Sequence, residues 1–201
     1  MNGQRVARLA TDAVVRQPWV WRFLRGRLRD QFDRIAPTWE TRIGPHHVAA
    51  LDAALGEVVA PGHALDLGTG TGVAAKAIAA RFPTARVTGL DISPAMIAEA
   101  EARLPSELAG RVSYQVGDAS ALPFADAAFG LVTLMNMIPF FDELARVVSP
   151  GGNVVVSFSR GAQTPIYVAR QRLERELGRR DFTEFADFSA GSATALRATR
   201  G

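Results

Sequence analysis

Three short stretches hold the residues best placed to do chemistry. The first is Leu65-Asp66-Leu67-Gly68-Thr69-Gly70-Thr71-Gly72. Alternating glycines allow a tight turn and let a ligand come close to the main chain. If a helix opens after Gly72, its free N–H groups and dipole favour an anionic or polar ligand group there. The second is Asp91, 23 residues beyond Gly68. A carboxylate at a strand end can accept hydrogen bonds from both ribose hydroxyls. The third is Gly117-Asp118-Ala119, followed by Leu122-Pro123-Phe124. An acid here can accept from an adenine amino group while the next N–H donates to a ring nitrogen; the competing reading is a turn cap. The glycine spacing separates two ligand classes. The dinucleotide fingerprint wants glycine at the sixth position of the loop, and Val73 stands there. The three stretches together therefore point to an adenosyl compound.

The elements that must position these residues follow from periodicity. Short apolar runs at 63–67, 86–90, 111–116, 129–134 and 153–159 read as strands. Helical stretches lie between them, at 73–82, from Pro94 to about 104, at about 141–148 and at 168–178. Ser93 caps the second of these, with Pro94 at its first position. Residues 182–188 and 193–199 pair as a hairpin across Ala190-Gly191-Ser192. Upstream, residues 5–15 and 20–35 are helical and separated by Pro18, 37–45 connects, and a helix is expected from about 46 to 59. Alternating strands and helices predict an α/β fold. It is a Rossmann-like, doubly wound, mostly parallel seven-stranded sheet, with an antiparallel C-terminal hairpin and N-terminal helices. The division expected is an N-terminal helical segment over 1–45 and a ligand-binding domain over 46–201.

Composition excludes several classes. The chain has no cysteine, which removes disulfides, thiolate metal sites and a cysteine nucleophile, and no metal site is expected. No apolar run approaches the ~20 residues of a membrane span, and residues 1–10 lack a signal-peptide core, so a cytoplasmic location is expected. Charge is unevenly spread. The net charge is +3, yet residues 1–42 hold nine arginines and four acids, a local +5. In that segment Trp19, Trp21, Phe23 and Leu24 stand beside Arg22, Arg25, Arg27 and Arg29. Three readings stand: an ordinary packed and solvated helix, a lid over the ligand pocket, or peripheral contact with an anionic membrane surface. A nucleic-acid partner is not expected, because no separate binding module is present.

The quoted motifs resemble those of the class I S-adenosylmethionine-dependent methyltransferases, in particular the ubiquinone/menaquinone-type (methyltransferase type 11) group. The resemblance is carried by 64–72, by Leu90-Asp-Ile-Ser-Pro-Ala-Met96, by Gly117-Asp118-Ala119 with Leu122-Pro123-Phe124, and by Leu144-Ala-Arg-Val-Val-Ser-Pro-Gly-Gly152. Residues 32–39 resemble the segment that packs over the cofactor in this group. The resemblance implies S-adenosyl-L-methionine as cofactor and S-adenosyl-L-homocysteine as product. It implies that Gly68, Thr69 and Gly70, with Asp66 behind them, cradle the methionine part. Asp91 would hold the ribose, Ile92 and Met96 would lie against the adenine, and Asp118 and Ala119 would read its edge. Asn136 would lie near the sulfonium, and Trp39 would close over the amino-acid end. Four departures stand out: Gly130 replaces a usual acid, Phe32 replaces a frequent tyrosine, and the runs 136–151 and 160–168 are short.

The implied activity is methyl transfer to a small-molecule acceptor, on oxygen or carbon: a quinone, a lipid or a secondary metabolite. Such transfer also needs a proton removed, and His46, His47 and Glu40 are the candidates for that base. Two other classes stand beside this reading. One is a non-enzymatic adenosyl-binding domain; the other, disfavoured by Val73, is a nicotinamide-dependent oxidoreductase. Neither the acceptor nor the oligomeric state follows from the sequence, and a dimer is left open.

Overall fold

A computed structural model of the chain describes residues 3–42, 44 and 47–201. Two helices come first, α1 (Gly3–Arg16) and α2 (Trp21–Ile35), separated by a 3-10 turn at Pro18–Val20. Proline's fixed φ suits the start of that turn. α1 is amphipathic and turns Thr11, Val14 and Val15 inward. A second 3-10 stretch, Ala36–Arg42, takes the place of the irregular connector expected over 37–45. The helix expected over 46–59 is shorter: α3 spans Ala49–Leu55. It ends where Gly56 donates back to Asp52, since glycine is a poor helix continuer; part of its expected start lies outside the described residues.

The alternating unit then runs β1 (His63–Leu67), α4 (Val73–Arg81), β2 (Arg86–Asp91), α5 (Pro94–Ala102), β3 (Val112–Val116), β4 (Phe129–Met135), α6 (Phe141–Val147) and β5 (Val148–Phe158). α7 (Arg170–Gly178), β6 (Phe182–Ala190) and β7 (Ala193–Arg200) close it. Among the described residues the seven strands form one sheet in the order β3-β2-β1-β4-β5-β7-β6. All pairings are parallel except those of β7, which runs antiparallel to both β5 and β6. β5 starts earlier than the sequence suggests. Val148 already pairs with Phe129, and the Ser149–Gly152 turn is absorbed as a bulge before Asn153 meets Leu131. Ser149 Oγ secures it by donating to the Phe129 carbonyl.

Both faces of the sheet are covered, which is why its central strands read as unbroken apolar runs. On one face Leu51, Leu55, Ala75, Ile78 and Ala79 of α3 and α4 pack on Val87, Leu131 and Val155. The alanines let α4 approach closely. On the other face Leu144 and Val147 of α6, Leu173 and Leu177 of α7 and Val14 of α1 pack on Val132, Val154 and Val156. The strand order reverses between β1 and β4. That switch point opens a crevice at the carboxyl ends of the strands, where doubly wound sheets bind ligands.

Candidate functional site

The crevice begins at the loop after β1. Gly68, Gly70 and Gly72 all have positive φ, 67°, 53° and 79°. The first two N–H groups of the loop, from Gly68 and Thr69, both donate to the Leu90 carbonyl of β2. This ties the loop to the strand end that carries Asp91. Each glycine makes room for a particular neighbour. A Cβ at Gly68 would lie 2.8 Å from Sδ of Met137, and one at Gly70 would lie 3.5 Å from Nε1 of Trp39. At Gly72 the neighbour is the Tyr114 ring.

Asp91 is 8% exposed at the end of β2. Its two oxygens each accept one backbone N–H at 2.9 Å, from Gly70 and from Ser93. A carboxylate has about four acceptor sites, so these bonds leave acceptor capacity for a ligand hydroxyl. Burial raises its pKa, while the N–H donors of Ser93, Gly70 and Ile92 oppose the rise. Ile92 packs half-buried on the core, and Met96 is buried in the first turn of α5.

Asp66 lies beneath the loop, fully buried. Thr133 Oγ1 donates to its Oδ1 at 2.7 Å, while Oδ2 has no hydrogen-bond partner. Burial pushes its pKa up to about 6, against the lowering effect of the Thr69 and Thr133 hydroxyls; the charge of Asp91 adds to the rise. Tyr114 stands nearby, its hydroxyl also buried and unpartnered, and burial together with Asp66 raises its pKa to about 12. The Thr69 hydroxyl faces this buried pocket beside Gly89. Asp66 gives a testable pH dependence. Its folded pKa lies above the unfolded value of 3.8. Its contribution to stability is therefore fully present below the unfolded value and is lost as the pH rises through about 6. Relative to Asp66→Asn, the native chain should lose about 1.4 kcal/mol between roughly pH 5 and pH 8. Thermal melts across that range check it, and parallel curves for the two proteins would refute it.

Asp118, at the carboxyl end of β3, is crowded with donors. Its Oδ1 accepts from Trp21 Nε1 at 2.8 Å and from the N–H and hydroxyl of Ser120. Its Oδ2 lies 3.1 Å from Arg25. Burial works to raise its pKa, but the bonds from Ser120, Trp21 and Arg25 together hold it below the usual carboxylate value. Ala119 beside it is 4% exposed. The loop that follows is clamped by α6. Arg146 donates to the carbonyls of Leu122 at 2.9 Å and Phe124 at 2.6 Å, and Glu143 accepts from Leu122 N–H. Arg146 also pairs with Glu143 and holds that acid's pKa down.

Asn136 lies at the end of β4 with φ 53°. Its amide bonds both the N–H and the hydroxyl of Ser159 at 2.9 Å, which fastens the ends of the neighbouring strands β4 and β5 to each other. α6 has seven residues, as short as the 136–151 run implied. Gly130, the departure from the usual acid, stands against Pro61, whose Cβ a side chain would meet at 3.2 Å.

Contacts that the sequence does not announce come from Met137 and Tyr114 beside the glycine loop and from the N-terminal segment. Asp33 accepts from Ser93 Oγ at 2.6 Å and lies 3.3 Å from Ala95 N–H, so it caps α5 from outside. Glu40, a candidate base, accepts instead from the Thr71 hydroxyl of the glycine loop. Trp39 stacks edge-on against Phe32, with centroids 5.8 Å apart. Trp21 with Arg25, Asp33 and Glu40 thus reach all three strand-end loops. Of the two histidines considered as bases, His47 bonds Gly44 through Nδ1, and His46 lies outside the described residues. Of Trp21, Arg25, Asp33 and Glu40, Asp33 alone lies in the 32–39 stretch whose resemblance signalled a cofactor-covering role.

Comparison with known proteins adds to this geometry. A methyltransferase-domain family model matches residues 64–152. The chain is 44% identical over 115 residues to a demethylmenaquinone methyltransferase of Thermus thermophilus, covering 53% of this chain and 50% of that one. It is 33% identical over 125 residues to a trans-aconitate 2-methyltransferase of Methylobacterium nodulans, covering 59% and 46%. The chain spans about half the length of the curated relatives it matches. Among solved structures, a SAM-dependent methyltransferase from Aquifex aeolicus superposes with a TM-score of 0.67 at 13% identity, over 83% of this chain and 98% of that one. At that identity the likeness speaks for the fold.

Proposed function

We infer what this chain does from one premise: residues 64–152 belong to the class I S-adenosylmethionine-dependent methyltransferase family. The proposed activity is transfer of the methyl group of S-adenosylmethionine to a small-molecule acceptor. The observation that carries the reading is the pairing of Asp91 with Gly70, an acid at the end of β2 held at 2.9 Å by the N–H of the glycine loop. One bond sets both the ribose-holding carboxylate and the loop that receives the amino-acid end.

The groups present fit that cofactor. Asp91 keeps acceptor capacity for ribose hydroxyls beyond its bonds to the main chain. The acids Asp33 and Glu40, bonded to Ser93 and Thr71 at two of the strand-end loops, favour a cationic ligand over a neutral one. When bound, the sulfonium supplies an activated methyl group. The chain's part is to align the acceptor with it and to keep water out. Met137 and Trp39, lying over Gly68 and Gly70, wall that side of the crevice. We propose residues 1–45 as a covering segment on the substrate side of the domain. None of Glu40, His46 and His47 is assigned as general base. Glu40 is engaged by Thr71, and His47 by its own turn.

The acceptor reading is a quinone, lipid or secondary metabolite methylated on oxygen or carbon. Relatives named for demethylmenaquinone and for trans-aconitate illustrate how one cofactor domain serves unlike acceptors. Titration calorimetry tests the core of the proposal. S-adenosylmethionine and S-adenosylhomocysteine should bind in the micromolar range and NADH should give no heat. An absence of binding by both adenosyl compounds would remove the methyltransferase reading, and NADH binding would favour an oxidoreductase.

A further inference from the structure

Trp19 and Trp21 stand two residues apart and point to opposite surroundings. Trp21 is 8% exposed, packs edge-on against Phe140 and donates to Asp118. Trp19 is 56% exposed, and Phe23, one turn on, is 62% exposed. Their rings meet edge-on at 6.1 Å. The Arg22 guanidinium lies over both, 4.5 Å from the Phe23 centroid and 5.5 Å from that of Trp19. Most of the large apolar side chains exposed among the described residues come from the N-terminal segment. Val6, Leu9, Trp19 and Phe23 belong to the first 23 residues, and only Val59 and Val116 lie elsewhere. Arg22 over the two rings, and Arg16 and Arg27 in the same segment, have no carboxylate partner among the described residues.

We propose that the tip formed by the Pro18–Val20 turn and the first turn of α2 docks this protein onto an anionic lipid surface. The chemistry of the patch selects that occupant. Aromatic rings with an apolar body settle at the level of lipid headgroups, and clustered arginines add attraction to anionic lipid that falls off within a Debye length. A second copy of the chain is disfavoured, because a face-to-face contact would bring together two segments of net charge +5. Single-stranded nucleic acid needs open ring faces on which bases stack, and here Arg22 covers a face of each ring. No helix of the described residues is long and apolar enough to cross a membrane, so the contact is peripheral. The inner side of α2 holds Asp118 through Trp21 and Arg25. Docking the outer side therefore brings the covered crevice to the lipid boundary, where a lipid-borne acceptor would be met.

The test is co-sedimentation of the full chain with vesicles of phosphatidylcholine containing about a quarter phosphatidylglycerol. We expect binding at low salt, its loss at high salt, a blue shift of tryptophan emission that Trp19→Phe removes, and little binding to pure phosphatidylcholine. Trp19→Ala combined with Phe23→Ala should weaken partitioning about tenfold while leaving melting and S-adenosylmethionine affinity unchanged, since both side chains are exposed. The proposal is overturned if the anionic vesicles are not bound, or if the double variant binds them as well as the native chain. It is overturned in favour of another occupant if the patch instead retains a single-stranded oligonucleotide or forms a dimer that the double variant abolishes. Every readout is independent of methyl transfer, so failure here leaves the proposed activity standing, and failure of that activity leaves the surface standing.

Discussion

Gly72→Ala is expected to destabilise the domain by about 3 kcal/mol and to lower its melting temperature by roughly 6–12 °C. Two costs add. The residue sits at φ 79° as the cap of α4, where an L side chain loses about 1–2 kcal/mol. The new Cβ would also strike Tyr114, whose Cζ and Cε1 lie only 2.7 and 2.9 Å away. The ring cannot swing clear cheaply. Tyr114 pairs with Gly89 across the β2–β3 ladder and lies flat on it, with Cδ1 2.6 Å from where a Gly89 side chain would begin. It is wedged between two glycines. A double-mutant cycle separates the costs. Combining Gly72→Ala with Tyr114→Ala should recover at least about 1 kcal/mol relative to the sum of the single changes, leaving the φ strain. Melting of Gly72→Ala at the native temperature would refute the account, and a strictly additive cycle would refute the part assigned to Tyr114.

Asp91→Ala is expected to weaken S-adenosylmethionine binding about a hundredfold, measured by calorimetry. Charge-assisted hydrogen bonds are worth about 1.5–3 kcal/mol each, and loss of the ribose hydroxyl pair alone accounts for roughly 3 kcal/mol. The same change strips the acceptor from the N–H groups of Gly70 and Ser93. The loop and the start of α5 then lose their shared anchor, and the melting temperature should fall as well. Asp91→Asn retains one acceptor oxygen but turns an N–H₂ toward one of those donors, so it should lie between, near a tenfold loss. An affinity within about twofold of native for Asp91→Ala would take this residue out of the ligand site.

These two residues differ in how they announce themselves. The position of Asp91 was legible in the sequence because its signal is local: an acid where an apolar run ends, before a Ser-Pro helix start. Gly72 was visible as a loop glycine, but its partner was not. Tyr114 is 42 residues away and meets Gly72 only because β3 lies next to β2. Gly89, in mid-strand, carried a signal that went unread, since a glycine inside a strand often marks the close approach of another group.

The N-terminal segment shows the same division. Helices at 5–15 and 20–35 were legible from spacing, and the structure draws them at Gly3–Arg16 and Trp21–Ile35. Their purpose was not legible. Trp21 meets Asp118 across 97 positions, Asp33 meets Ser93 across 60 and Glu40 meets Thr71 across 31. Each is a pairing of a polar side chain with a loop that only the folded sheet presents. Glu40 read as a candidate base because a lone acid carries no mark of its partner.

What the sequence determined by itself was the order of elements, the parallel sheet with its antiparallel ending, and the acids and glycines placed at its strand ends. All of these rest on periodicity and on turn chemistry within a few residues. Tertiary structure alone decided which side chains cover that site and which face outward. The clearest case is Trp19 and Trp21, equal in the sequence. Two residues at about 100° each place them on nearly opposite sides of the helix start. Only the packing of α2 against Phe140 and Asp118 determines which one is buried and which one meets the surroundings.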